Sequence, residues 1–131
     1  MEQYPKRKHP RLKQYDYSLP GYYYVTIHTE PHTPALSSVG RGRSPTEAVV
    51  TMTKIGVIAE QQLHSLEHRY NNVKIDKYVI MPNHIHVILR LMKVAGASPR
   101  PTLMDVVGTY KSLTTRECNL ADRTPGRKLF Q

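Results

Sequence analysis

The clearest alternation of apolar and polar positions lies between Tyr78 and Leu91, in the sequence YVIMPNHIHVILRL. Successive side chains of a strand point to opposite faces, so the alternation from position 84 onward predicts a strand with one core face. Its two faces carry Ile85, Val87 and Leu89 on one side and His84, His86, Ile88 and Arg90 on the other. The preceding Met-Pro-Asn is typical of a turn. We therefore predict a hairpin in which residues 73–80 form the first strand and the histidine segment forms the second.

Two segments nearer the N-terminus lack helical periodicity. Residues 21–29, GYYYVTIHT, are β-branched and aromatic and predict a strand. Residues 30–45 are rich in proline, serine, glycine and threonine, which predicts a loop or a small hairpin excursion. His28, near the end of the first strand, would approach the histidine pair if the two strands are neighbours. An exposed or hydrogen-bonded His28 is the favoured alternative.

Two other segments have the three- and four-residue spacing of amphipathic helices. The first runs from about Thr51 to Tyr70 and the second from about Leu103 to Asn119. Thr51 or Thr53 is expected to cap the first helix, and Thr102 is expected to cap the second, because a threonine hydroxyl can accept from a free N–H group of the first turn.

The order of these elements is strand, helix, strand, strand, helix, with a final strand that is missing or unreadable. This order predicts an α+β fold, a ferredoxin-like antiparallel sheet with helices packed on one face. The length of 131 residues suits a single domain over the whole chain.

The amino-acid composition indicates which kinds of partner and which cellular compartment are expected. The chain has 19 lysines and arginines against 10 aspartates and glutamates, a formal charge of +9, which favours a polyanionic partner. Its single cysteine, Cys118, excludes an internal disulfide and suits a reducing compartment. No apolar run approaches the roughly 20 residues of a membrane span. We therefore expect a cytoplasmic protein with no membrane partner.

Basic residues concentrate in two regions. The first is the arm of residues 1–14, which we expect to be flexible and to follow a phosphate backbone, with a solubilising tail as the equal alternative. The second lies around the second helix. The expected nucleic-acid contacts, with Arg90 from the histidine strand, are Lys6, Arg7, Lys8, Arg11, Lys13, Arg90, Lys111 and Arg116.

The pair His84 and His86 is the main candidate for chemistry. Imidazoles two residues apart on a strand share a face and can both reach one divalent ion. Spacing alone favours the plainer interpretation of a solvated or structurally bonded pair. For His64 and His68, four residues apart on the first helix, a solvated face is favoured more strongly, because no acidic partner completes a metal motif.

The amino-acid sequence around the two histidines favours the metal-binding interpretation over the plainer one. MPNHIH resembles the HUH nucleases, in particular the single-tyrosine transposases of small insertion sequences and their repeat-associated relatives. Other stretches are similar to that family in the same order: YDYSLPGYYYVTIHT at 15–29, NNVKIDKYVIMPNHIH at 71–86, VVGTYKSLTTRECN at 106–119 and KLFQ at 128–131. The resemblance covers most of the chain outside residues 30–45.

The resemblance implies an enzyme that cleaves and rejoins single-stranded DNA, including DNA hairpins. His84 and His86 would help to hold Mg²⁺ or Mn²⁺. Tyr110 would attack the scissile phosphate, giving a 5′-phosphotyrosine link and a free 3′-OH. The resemblance also implies a homodimer, often with the tyrosine helix of one subunit serving the other. Tyr110 also fits the apolar stripe of its helix, so core packing is the alternative.

The chain departs from the family pattern in two ways. Where relatives have a glutamine or asparagine one turn after the tyrosine, this chain has Thr114, a poorer ligand. Asn119, Glu117 or Asp105 are the alternatives for a third ligand. Relatives of this subgroup often have phenylalanine at the position of Tyr110, and they continue past the KLFQ segment with more tyrosines. A further alternative is therefore a truncated copy, in which the nucleophile was lost with the missing C-terminal tail.

Two rival hypotheses come from other functional classes. The first is a catalytically degenerate DNA-hairpin-binding remnant that keeps the fold and the charge; a covalent protein–DNA adduct would distinguish the enzyme from it. The second is an RNA-binding ferredoxin-like module. It is disfavoured because the VILRL strand has no aromatic residues on which bases could stack.

Overall fold

The structure, a computed structural model, describes residues 19–43, 47–93 and 101–131. Two helices and five strands make up this part of the chain. In order they are β1 (Gly21–His28), β2 (Ser37–Arg41), β3 (Ala48–Met52), α1 (Lys54–Arg69), β4 (Val73–Ile80), β5 (His84–Leu91) and α2 (Leu103–Asp122). The predicted arm of residues 1–14 lies outside the described residues.

The main sheet has three antiparallel strands in the order β1-β5-β4. The central strand is therefore the histidine strand β5, which pairs with β1 from Gly21↔Leu91 to His28↔His84 and with β4 on its other edge. The tight connection from β4 to β5 is the predicted hairpin. An irregularity between Ile75 and Lys77 places Asp76 in a bulge of β4.

Both helices pack against one face of the main sheet, which confirms the α+β prediction. Alternate residues of β5, among them Ile85, Val87 and Leu89, are buried in one core with residues of both helices, such as Leu63 and Val106. The opposite face of the sheet has no element of the described chain packed on it, and we call it the open face. Its residues are Tyr22, Tyr24, Thr26 and His28 from β1; Lys74, Lys77 and Val79 from β4; and His84, His86, Ile88 and Arg90 from β5.

The residues between β1 and α1 form a second, two-stranded sheet of β2 and β3. The predicted hairpin excursion is thus present, but its second strand extends to Met52, beyond the predicted limit of Pro45. The buried Leu36 anchors the hairpin, because its N–H donates to the carbonyl of Pro82 and its carbonyl accepts from Thr53. The first helix consequently begins at Lys54, three residues later than predicted.

The chain also closes back on β1. Thr29 and Phe130 form an isolated antiparallel bridge, and the N–H of Gln131 donates to the carbonyl of His28. The final strand that the sequence left unreadable is therefore represented in the described chain by this short C-terminal pairing on the outer edge of β1.

Threonine caps define where both helices begin, as predicted. The hydroxyl of Thr53 accepts from the N–H of Gly56 at the start of α1. At α2 the hydroxyl of Thr102 accepts from the N–H of Asp105, and the Asp105 carboxylate accepts from the N–H of Thr102, which completes a capping box. α2 ends at Asp122, three residues later than predicted, with Arg123 in the left-handed conformation.

The capping box at α2 gives a stability prediction. Thr102→Ala removes the acceptor for the N–H of Asp105, and we expect it to lower the free energy of unfolding by about 1 kcal/mol. Thr102→Ser keeps an acceptor hydroxyl and is expected to retain most of that stability. Chemical denaturation followed by circular dichroism measures both. Equal losses in the two variants would mean that the hydroxyl does not cap the helix.

Candidate functional site

The predicted orientation of the histidine strand is confirmed. His84 and His86 lie on the open face, whereas the three apolar residues that alternate with them are buried. The register places β1 residues directly beside them, with Thr26 opposite His86 and His28 opposite His84. His28 therefore lies next to the pair, as it would if the two strands were neighbours.

The three imidazoles form a compact group. The ring centroids of His84 and His86 are 4.6 Å apart, with their planes at 81° to each other. The ring centroid of His28 is 5.7 Å from that of His84. Three exposed or half-exposed rings thus surround one end of the open face.

Hydrogen bonds hold both rings of the pair by the same nitrogen. The Nδ1 of His84 lies 2.7 Å from the amide oxygen of Asn83, which can only accept, so this nitrogen carries the proton. The Nδ1 of His86 lies 3.1 Å from the hydroxyl of Thr26. Neither Nε2 atom has a hydrogen-bond partner within the described ranges. Metal-binding histidines commonly have one nitrogen fixed by a neighbour and the other free for the metal, and His86 matches this arrangement when its Nδ1 donates to the Thr26 hydroxyl.

The pKa of His84 lies below its usual value. Partial burial is the main cause, and the nearby positive charges of protonated His86 and His28 add to it. A lowered pKa favours the neutral imidazole at physiological pH. The neutral form is the one whose lone pair can bind a metal ion.

The described residues fit a metal site only in part. Across residues 19–43, 47–93 and 101–131 there is no group of three or more histidine, cysteine, aspartate or glutamate side chains arranged to hold a metal ion. Neither β1 nor β5 contains an acidic residue. The pair His84 and His86 can therefore supply two nitrogen donors, and the other positions would go to water and to oxygens of a bound phosphate.

Tyr110 does not lie with the histidines. Its side chain is 1% exposed, in the core between the sheet and the helices, and its hydroxyl donates to the carbonyl of Ala59. Burial raises its pKa well above the usual tyrosine value. The hydroxyl cannot reach histidines of this chain or of a second copy without unpacking α2. The position therefore matches the core-packing alternative, and the nucleophile assignment rests on the resemblance alone.

None of the four candidates for a third metal ligand lies on the open face with the pair, because Asp105, Thr114, Glu117 and Asn119 are all in α2. Thr114 is fully buried on the core face of α2. Both polar atoms of the Asn119 side chain bind the segment after α2, where the amide nitrogen donates to the carbonyl of Arg127 and the amide oxygen accepts from Thr124 and Arg127. Asp105 is engaged in the capping box of α2. These side chains close and pack the helix instead of presenting ligands to the open face.

The predicted basic contacts divide between two surfaces. Lys6, Arg7, Lys8, Arg11 and Lys13 lie outside the described residues. Arg90 is on the open face, with its guanidinium 5.5 Å from the centroid of the Tyr22 ring. Lys111 and Arg116 lie on α2, on the other side of the sheet, where Lys111 donates to the carbonyl of Gln131. The structure thus joins only Arg90 to the histidine surface.

Sequence reasoning missed the residues that orient the histidines and the aromatic residues beside them. Asn83 was interpreted only as a turn residue, and no orienting role was predicted for Thr26. The register sets Tyr22 and Tyr24 beside β5, opposite Arg90 and Ile88. The run of three tyrosines at positions 22–24 was a signal, but only strand pairing reveals which residues the outer two face.

Comparison with models of known protein families finds no match. An uncharacterized protein of Haemophilus influenzae is 26% identical to this chain over 87 residues. The aligned stretch covers 66% of this chain and 45% of that protein, so the two are compared over less than half of the relative's length. This similarity carries no statement of activity.

Neither α1 nor α2 combines the length and the apolar composition that a membrane-spanning helix requires.

Proposed function

We propose that this chain is a HUH-type DNA-processing domain, which binds single-stranded or hairpin DNA on the open face and cleaves and rejoins it with the help of a divalent metal ion. The observation that carries the proposal is the shared geometry of His84 and His86. Both rings are fixed through Nδ1, by Asn83 and Thr26, and both leave Nε2 for a ligand.

His84 and His86 would hold Mg²⁺ or Mn²⁺, with His28 close enough to contact a phosphate or water in the same site. A bound ion would neutralise charge on a scissile phosphate and polarise it for attack. The protein residues supply the remaining requirements: Asn83 and Thr26 orient the rings, and Arg90 attracts the phosphate backbone. The net charge of +9 favours the same polyanionic substrate.

We also propose that the protein acts in the cytoplasm as a homodimer, as the resemblance implies. The outer edge of β4 supports the second point, because no described strand pairs with it. Unpaired edges of this kind can join two copies of a sheet.

A second candidate function is the catalytically degenerate remnant that binds DNA hairpins without cutting them. The observation in its favour is the burial of Tyr110 and Thr114, which leaves the histidine pair without the predicted nucleophile and third ligand. Both candidates share DNA binding, and only the first forms a covalent protein–DNA link.

Measurement of Mn²⁺ binding tests the proposed role of His84 and His86 as metal ligands. We expect the wild-type protein to bind Mn²⁺ together with a DNA hairpin, measured by the loss of the free Mn²⁺ signal in electron paramagnetic resonance. The double variant His84→Ala/His86→Ala is expected to weaken Mn²⁺ binding about tenfold or more, because loss of ligands costs at least as much as loss of their orienting partners. His68→Ala removes an exposed helix histidine and is the matched control. Equal Mn²⁺ binding by both variants would place the metal elsewhere.

A further inference from the structure

The open face carries two aromatic side chains that the histidine site does not use. Tyr22 is 59% exposed and Tyr24 is 85% exposed, on the same side of β1 as Thr26 and His28. Large apolar side chains this exposed are unusual on a sheet unless a partner covers them. Tyr23, between them, is buried in the core on the other face, so the core packing of this part of β1 does not depend on the two exposed rings.

The surroundings of these tyrosines are positively charged. Arg90 lies over the ring of Tyr22, and Lys74 and Lys77 of β4 complete a row of three cations across the face. None of the three is in an ion pair with another described side chain. The only acidic residue in the three strands is Asp76, in the bulge of β4. The face therefore combines exposed rings with unpaired positive charge, which is complementary to a nucleic-acid strand.

The aromatic residues are continuous with the histidine site. Tyr24 lies opposite Ile88, two pairs along the ladder from Thr26 and His86, which makes it the next pair on the open face. A depression of 240 Å³ connects them, and its lining includes Tyr24, Thr26, Lys77, Val79, His86 and Ile88. Its lining is mostly apolar and also includes a lysine and a histidine. This combination suits the flat face of a base with its phosphate held at the edge.

We propose that Tyr22, Tyr24 and Arg90 form a stacking platform for unpaired bases of single-stranded DNA, which leads the strand across the open face to His86. The inference rests on the proposed function for the identity of the nucleic acid. It adds a substrate requirement: nucleotides next to the processed phosphate must be unpaired, because paired bases cannot present their faces to the tyrosines. Stacking on aromatic side chains tolerates any base, so the platform would hold the strand without reading its sequence.

Fluorescence anisotropy with a short labelled oligothymidylate, in EDTA, tests the platform without any metal contribution. We expect Tyr24→Ala to weaken binding about tenfold, because loss of a stacked aromatic ring typically has an effect of this size. Tyr24→Phe keeps the ring and is expected to bind within about twofold of the wild type. Leu120→Ala removes an exposed apolar side chain from α2 and is the matched control. Binding to a duplex without unpaired ends should not change in Tyr24→Ala.

The outcomes separate this inference from the proposed function. Unchanged oligothymidylate binding in Tyr24→Ala would overturn the platform, even if Mn²⁺ binding still required His84 and His86. Equal weakening for duplex and single strand would overturn it too, because a duplex cannot stack on the ring. The protein could also bind oligouridylate more tightly than oligothymidylate, in a way that depends on Tyr24. That result would identify RNA as the occupant instead of DNA and would also contradict the proposal.

Discussion

Gly56→Ala is expected to destabilise the protein by about 3 kcal/mol, although alanine is the better helix former by about 1 kcal/mol. Gly56 is buried in α1, and a Cβ atom at this position would overlap the carbonyl oxygen of Leu36. That oxygen also accepts hydrogen bonds from the N–H and the hydroxyl of Thr53. The substitution therefore forces the base of the β2–β3 hairpin away from the helix cap.

Gly108→Ala in α2 is the matched control. Gly108 is exposed, and a Cβ atom there would have no other atom within 4 Å. We expect this variant to gain about 0.5 to 1 kcal/mol from helix propensity alone. Urea unfolding followed by circular dichroism compares the two. A gain of stability in Gly56→Ala, like the one expected for Gly108→Ala, would mean that α1 is not packed closely against Leu36.

Local patterns were sufficient to predict most elements of the fold. The alternation around His84 and His86 identified both the central strand and its core face, because burial of one face leaves a period of two in the sequence. Thr102 was predicted as a cap because its position before an apolar stripe is a local signal. The hairpin boundary was less predictable, because β3 and the start of α1 are adjacent in sequence and Thr51 resembles a cap as closely as Thr53 does.

The site was harder to predict, because it depends on which strands are neighbours. The helical stripe that contains Tyr110 does not indicate by itself whether a tyrosine packs in the core or faces a substrate. The structure shows core packing, with Thr114 buried on the same stripe. Conversely, the RNA-binding interpretation was disfavoured because β5 has no stacking aromatics, whereas the adjacent strand β1 supplies Tyr22 and Tyr24. The periodicity of a single sequence does not show that β1 pairs with β5.

The second large effect concerns the covalent step. We expect the wild-type protein, with Mn²⁺ and a DNA hairpin that has single-stranded flanks, to form a protein–DNA adduct, and we expect His86→Ala to form none. The phosphate must be held and neutralised for a tyrosine oxygen to displace the 3′ oxygen, and His86 lies where the proposed strand path meets the proposed metal site. His68→Ala should keep the adduct. A 3′-end label should travel with the protein, because the 5′-phosphate is the end that joins it.

Tyr110→Phe adds information about the nucleophile. Because the Tyr110 hydroxyl is buried and donates to Ala59, we expect this variant to keep the adduct and to lose about 1 kcal/mol of stability. Peptide mapping of the adduct by mass spectrometry would then identify the tyrosine. An adduct that disappears in a well-folded Tyr110→Phe protein would mean that α2 leaves the core during the reaction.

The most direct test of the histidine pair as a DNA-processing site is therefore the denaturing gel of 3′-labelled hairpin DNA incubated with the protein and Mn²⁺. The account predicts a slow-migrating labelled band for the wild type and for His68→Ala, and its absence for His86→Ala. Hairpin binding without any such band in the wild type would contradict the enzymatic proposal and identify the protein as a DNA-binding remnant.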